Sequence, residues 1–106
     1  MARFDIYPNP MAEDRDNFPF VLEIQSDLLY QFTQRVCVPL ANAGAFPGMT
    51  ERFNPKIIVA GAPAPCHLHP LGLAVFMTHE LRRPVGSAVS QALEIDRAMD
   101  MLLRGY

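Results

Sequence analysis

Helical periodicity is confined to one stretch of this chain, Ser87 to Tyr106, and that confinement fixes the fold class more tightly than any other feature. The stretch holds no proline, whereas ten prolines punctuate the residues before it. Ala92, Ile95, Met99, Leu102 and Tyr106 follow at steps of three, four, three and four, which puts them on one stripe of a helix. Glu94, Arg97 and Arg104 fall opposite, with Gln91 beside them. Pro84 and Gly86 block entry from upstream, and Ser87 or Ser90 is expected to cap the first turn. Gly105 is expected to end the helix, because glycine reaches the left-handed conformation used just past a helix end. A large aromatic, Tyr106, then follows, where chain ends are ordinarily polar and expendable.

Ahead of the helix the apolar pattern has period two. Arg3–Tyr7 places Phe4 and Ile6 on one face of a short strand. Pro8–Asn17 holds two prolines and the charges Glu13, Asp14, Arg15 and Asp16, a loop composition. Phe18–Ser26 reads as a strand with Phe20, Leu22 and Ile24 on one face and Val21, Glu23 and Gln25 on the other, broken at Asp27. Gln34–Leu40 reads as the next, with Val36, Val38 and Leu40 inward and Arg35 outward. The roughly eight residues between them predict an antiparallel hairpin with a long connection. Pro39 lacks a ladder donor, so this strand is expected to stop there or to lie at an edge. Ala41–Met49 is expected to hold a helical turn around Ala41–Ala45. Lys56–Ala60 reads as a buried strand, and Cys66–His69 and Leu73–Met77 as two short ones. The sum is mainly β: five or six short strands in a small antiparallel sheet or barrel, followed by one C-terminal α-helix.

At 106 residues the chain is expected to be a single domain, residues 1–106. Half its residues are hydrophobic and 19% are charged, a globular balance. The net charge of −2, with no basic block, weighs against nucleic acid as a direct partner, since phosphate neutralisation needs clustered cations. Eight arginines and the lone Lys56 make any cation contact planar and forked. No signal peptide and no run of ~20 apolar residues is present, so the expectation is a cytoplasmic protein away from membranes. Cys37 and Cys66 are too few for a disulfide scaffold.

Four constellations carry candidate chemistry. Cys66-His67-Leu68-His69 puts two histidines on one strand face, a geometry zinc uses, but no Cys-x-x-Cys accompanies it. Pro65 and Pro70 already explain a short edge strand there, and no metal or other cofactor is expected. His79-Glu80, followed by Leu81, Arg82 and Arg83, lacks a nucleophile motif, a phosphate loop or a His-Glu-x-x-His, and reads as a polar loop. Gln25-Ser26-Asp27-Leu28-Leu29 ends a strand with two leucines that are either core or an exposed anchor for a partner. The helix stripe is core by default, but Leu103 lies off it and Tyr106 lies at its end, a surplus that points to self-association or a partner groove.

Taken together and in order, Phe4-Asp5-Ile6-Tyr7, Phe20 to Leu29, Arg35 to Ala41, and Ile95-x-x-Ala98-Met99-Asp100-x-Leu102-Leu103-x-Gly105-Tyr106 resemble the CcdB family. These are toxins of toxin–antitoxin modules that poison DNA gyrase. The resemblance covers nearly the whole chain. It implies an SH3-like, partly open antiparallel barrel with a C-terminal helix, a symmetric homodimer, and no catalysis by the chain itself. It further implies binding to DNA gyrase A and trapping of the gyrase–DNA cleavage complex. Neutralisation would come from a disordered C-terminal segment of a cognate antitoxin, with operator DNA bound only through that antitoxin to repress transcription. By position, the gyrase-binding residues would be Asp100, Arg104, Gly105 and Tyr106, joined by Ser26, Leu28 and Leu29. Ile95, Met99 and Leu102 would serve helix packing or the dimer.

The resemblance departs at the tip. The best-studied members carry a tryptophan where this chain has Arg104 and an isoleucine where it has Tyr106. A tryptophan can stack on an arginine of the target, whereas Arg104 brings a like charge and no π face. The Cys66–Pro70 segment has no counterpart. Two other readings follow: a non-toxic or retargeted dimeric binding protein of the same fold, or a ribonuclease toxin of the same barrel superfamily using His79 with Glu80 or Arg83. The absence of a basic surface argues against the latter.

Overall fold

Strand β3, Gln34–Ala41, is the seam of the molecule. In the computed structural model, which describes residues 2–106, it pairs along one edge with β2 (Phe20–Glu23) and along the other with two strands in succession. Gln34–Cys37 face β6 (Ala74–Met77), and Leu40–Ala41 face β5 (Cys66–Leu68). β2 continues to β1 (Asp5–Pro8), β1 to β7 (Gly86–Ser87), and β5 to β4 (Lys56–Ile57), every pair antiparallel. The described residues thus form a seven-stranded sheet in the order β4-β5-β3-β2-β1-β7, with β6 branching from β3. It curls into a half-barrel closed by one helix, α1 (Ala92–Arg104). The mainly β class holds, with one strand more than expected: β7 is two residues long and leaves no apolar signal.

Period-two alternation puts the two faces of β1, β2 and β3 into separate clusters. Ile6, Leu22, Val38 and Leu40 pack against Ile95, Ala98 and Met99 of the helix. Tyr7, Val21 and Cys37 pack the other way, under Phe76 and Leu81. A sheet covered on both faces changes what "outward" means. Arg35, expected in solvent, is only 6% exposed because its face is the second cluster. Its charge is met there by Glu23, itself 3% exposed, with Arg35 Nε 3.7 Å from Glu23 Oε2.

Other expectations need correction. Pro39 does not end β3. It falls at the changeover, after pairing to β6 stops at Cys37 and before pairing to β5 begins at Leu40, so the missing donor costs no ladder bond. Its carbonyl accepts the His69 N–H at 2.9 Å. The first strand starts at Asp5, not Arg3, because Phe4 has φ +73° and turns its ring into the core. The Lys56–Ala60 strand stops at Ile57. Ile58 is 65% exposed, and its N–H donates to the Gln91 side chain instead of a strand. Ala41–Ala45 forms a turn closed by Ala45 N–H to Asn42 O, not a helical turn.

The helix is preceded by a 3₁₀ turn, Val89–Gln91, and neither serine caps it. Ser87 lies in β7, where its Oγ accepts the Val89 N–H. Gly105 ends the helix as expected: φ is +86°, and its N–H is shared by the carbonyls of Asp100 and Met101. Ile95 and Ala98 are fully buried against the sheet. An isoleucine so placed contributes ~1.5–3 kcal/mol, which is what docks α1.

Candidate functional site

The Ser26–Leu29 turn and the exposed face of α1 meet through Arg3. β2 ends at Glu23, and Gln25 then imitates a paired strand with its side chain: Oε1 accepts the Val36 N–H and Nε2 donates to Gln34 O. Ser26 Oγ accepts the Leu28 N–H at 3.2 Å, capping a single 3₁₀ turn over Asp27–Leu29. The cap holds Leu28 out in solvent, 84% exposed, with Leu29 at 41%. From beneath, the buried Arg35 guanidinium donates to the carbonyls of Leu29 and Tyr30 at 3.1 and 3.0 Å. Tyr30 and Phe32 extend the same exposed apolar projection.

Arg3 makes three tethers. Its backbone N–H donates to Asp27 Oδ1 (2.8 Å), its Nε–H to Ile24 O (3.0 Å), and its Nη2 to Asp96 Oδ1 on the helix (2.6 Å). Beyond this staple lies a hollow of about 470 Å³ whose walls include Ile24, Val36 and Leu73 on the sheet side and Asp96, Asp100 and Leu103 on the helix side. The helix end continues past it. Leu103 and Tyr106 are 73% and 70% exposed, and Arg104 Nε lies 3.8 Å from Asp100 Oδ1, one turn back. Asp100 is half-buried, and Arg104 and Gly105 are exposed. Ile95 and Met99 are buried under the helix, and Leu102 is half-buried against the same cluster. Sequence reasoning missed Arg3, since its partners are set by tertiary pairing, and named Gln25 only as the start of the Gln25–Leu29 constellation. Leu103 had a signal, its position off the apolar stripe.

The remaining candidates lie elsewhere. Cys66 is buried on the helix side of the sheet and Cys37 in the opposite cluster, so the two thiols do not converge. Burial pushes both up, Cys37 to about 12, which leaves them protonated and poor ligands or nucleophiles. His67 Nδ1 sits 3.2 Å from Asn54 O. His69 meets the rings of Phe18 and Phe46 in tilted contacts, with centroids 5.3 and 4.4 Å away, and burial lowers its proton affinity. Among the described residues no three His, Cys, Asp or Glu side chains are placed to hold a metal. His79, Glu80 and Arg82 share a hollow with Arg15, while Arg83 is not part of its lining. One Glu80 oxygen is already used, accepting the Met77 N–H at 2.8 Å. Among the described residues no helix is long and apolar enough to cross a membrane.

The chain is thus a curled antiparallel half-barrel closed by a C-terminal helix, with exposed apolar residues at the Ser26–Leu29 turn and at the helix tip among others. The sequence matches the family described as CcdB protein over residues 3–105, and the chain belongs to that family of toxins from toxin–antitoxin modules. No curated protein matches it. Among solved structures it is similar to an endoribonuclease in complex with its cognate antitoxin from a mycobacterial species. That likeness has a TM-score of 0.75 at 13% identity, and covers 97% of this chain and 94% of the other. A second mycobacterial endoribonuclease gives 0.68 at 13% identity, covering 97% and 90%. At that identity the likeness establishes the shared fold.

Proposed function

We propose that this chain is a toxin that binds DNA gyrase A through the end of its helix and the neighbouring turn, and traps the gyrase–DNA cleavage complex. The observation that carries this reading is the pairing of two exposed apolar projections on one staple. Leu28 and Leu29 stand on one side of Arg3, and Asp100 to Tyr106 run out on the other. Exposed leucines and a terminal tyrosine contribute little to the fold, and large apolar and aromatic side chains of this kind anchor protein interfaces. Arg104 stands where a tryptophan serves the best-studied family members. Its charge is offset by Asp100, and Tyr106 supplies the aromatic face.

The toxin acts in the cytoplasm as one domain and as a homodimer. α1 covers the sheet over Val38 and Leu40 but leaves Val36 half-open, so Leu73, Val75 and Leu103 stay exposed on one side of it. That face, beside the strand β6, which among the described residues pairs only with β3, suits a second copy. A cognate antitoxin masks the toxin with a segment that folds on binding, and the pair represses the operon.

Expression without an antitoxin should stop growth, and purified protein should accumulate gyrase–DNA cleavage complexes. Deleting Arg104–Tyr106 should abolish both while the domain stays folded. Normal growth with intact supercoiling at high protein levels overturns the proposal. RNA degradation lost on His79→Ala replaces it with a ribonuclease toxin.

A further inference from the structure

We propose that the hollow between the Pro8–Arg15 connection and the Thr78–Arg82 turn binds a compact phosphate-bearing anion. This site is separate from the helix tip and stands independently of the toxin reading. Its volume is about 560 Å³, and its polar walls are Arg15, His79, Glu80 and Arg82.

Both walls are held by the fold. On one side the buried Asn9 organises the connection: its Nδ2 donates to Phe18 O and its Oδ1 accepts the Met11 N–H. Arg15 Nε–H donates to Asn9 O at 2.6 Å, which fixes the guanidinium plane while engaging one of its five N–H groups. On the other side Thr78 N–H is tied to Thr33 O, Leu81 is buried in the second core cluster, and Glu80 Oε1 caps the turn at the Met77 N–H. His79 and Arg82 therefore project from a turn anchored before His79, at Thr78, and between the two, at Glu80 and Leu81.

The charges do not cancel within this frame. Among the described residues, the ion pairs are Arg3–Asp96, Arg35–Glu23 and Arg104–Asp100, so neither Arg15 nor Arg82 forms an ion pair within the fold. Among the described residues that line the hollow, Glu80 is the one acid, against the two guanidiniums of Arg15 and Arg82. Guanidinium forks match phosphate oxygens in a bidentate manner and give charge-assisted hydrogen bonds. The ligand is small, because a polynucleotide needs a basic track, and the chain carries a net charge of −2.

The test is titration of inorganic phosphate into the full chain at fixed ionic strength, followed by NMR of the arginine Nε–H and backbone signals. Chloride serves as the blank and a short single-stranded RNA as the second arm. Phosphate should shift Arg15, His79 and Arg82 in a saturable way. Arg82→Gln should weaken binding by ~5-fold or more, whereas Arg52→Gln, on another face, should not. Arg82 is exposed and makes no ion pair within the fold, so its loss leaves the domain intact. Shifts scattered over the surface, or equal binding by Arg82→Gln, overturn the site. RNA that binds tighter than phosphate through the same residues overturns the small-ligand class.

Discussion

Arg3 and Asp96, ninety-three positions apart, meet at 2.6 Å and join the start of the sheet to the middle of the helix. Both side chains are a third or more exposed. An ion pair so wetted is worth ~0–1 kcal/mol. The weight of Arg3 lies in its other contacts: the Ile24 carbonyl, which its Nε–H satisfies, and the Phe4 ring, over which its guanidinium sits 4.3 Å from the centroid.

Arg3→Ala and Asp96→Asn should therefore differ. Asp96→Asn keeps a hydrogen-bond acceptor and should cost under ~1 kcal/mol in urea unfolding. Arg3→Ala removes the Ile24 bond and the ring contact as well, and should cost ~1–2 kcal/mol. It also frees the Leu28 turn from the helix, so growth inhibition should fall further than the loss of stability explains. Equal effects from the two substitutions would show that Arg3 acts only through its charge.

Stability should decline with rising pH through Glu23. Burial pushes its carboxyl above the ordinary value of 4.5 despite the pull of Arg35. The folded protein then holds this proton more tightly than the unfolded chain does. Its contribution is complete below pH 4.5 and is lost as pH rises through the folded value. Glu23→Gln keeps the shape and removes the titration, and Arg35 retains the Leu29 and Tyr30 carbonyls. In denaturant titrations at several pH values, wild type should lose ground to Glu23→Gln as pH increases from about 4.5. A difference that is flat, or that slopes the other way, contradicts a buried, proton-favouring carboxyl.

How much of this was legible in the sequence depends on how local the cause was. α1 could be read because its period and its burial share one origin, a single apolar stripe docked on a sheet. Gly105 could be read because the left-handed stop is a property of that residue alone. Arg35 could not, since alternation gives a side chain's face but not whether that face is wet. Phe76 and Leu81, forty or more positions on, decide that. Pro39 misled in the same way: its missing donor is harmless only because β6 gives way to β5 at that point. At the candidate site, Leu28, Leu29 and the helix tip were visible as surplus apolar residues. The Arg3 staple was not, because an isolated arginine carries no mark of its partners.

Gly105→Ala tests the helix end without touching a packed surface. At φ +86° an added Cβ meets no atom within 4 Å, so any cost is backbone strain alone. That strain is ~1–2 kcal/mol, and it falls on the final turn. Amide exchange should speed up at Met101–Gly105 and remain unchanged in β2 and β3. Growth inhibition should drop if the tip must be ordered to engage its target. Undiminished toxicity together with a frayed last turn would remove Gly105 from the binding surface.

The uncovered apolar face predicts a second copy. Leu73, Val75 and Leu103 are 41%, 54% and 73% exposed, and Leu73 and Leu103 share the hollow beside α1. Val75 pairs across the ladder with Val36, so the face is continuous from β3 through β6 to the helix. Val75→Lys puts a charge on this face with no change to the core, since Phe76 is the residue of β6 that points into the second cluster. A two-fold interface meets its own image, so one substitution places two like charges in it. Sedimentation equilibrium should give a dimer for wild type and a monomer for Val75→Lys, with circular dichroism unchanged. Leu93→Lys, exposed on another part of the helix, should remain dimeric. A monomeric wild type, or a Val75→Lys dimer as tight as wild type, would place the self-association surface elsewhere or abolish it.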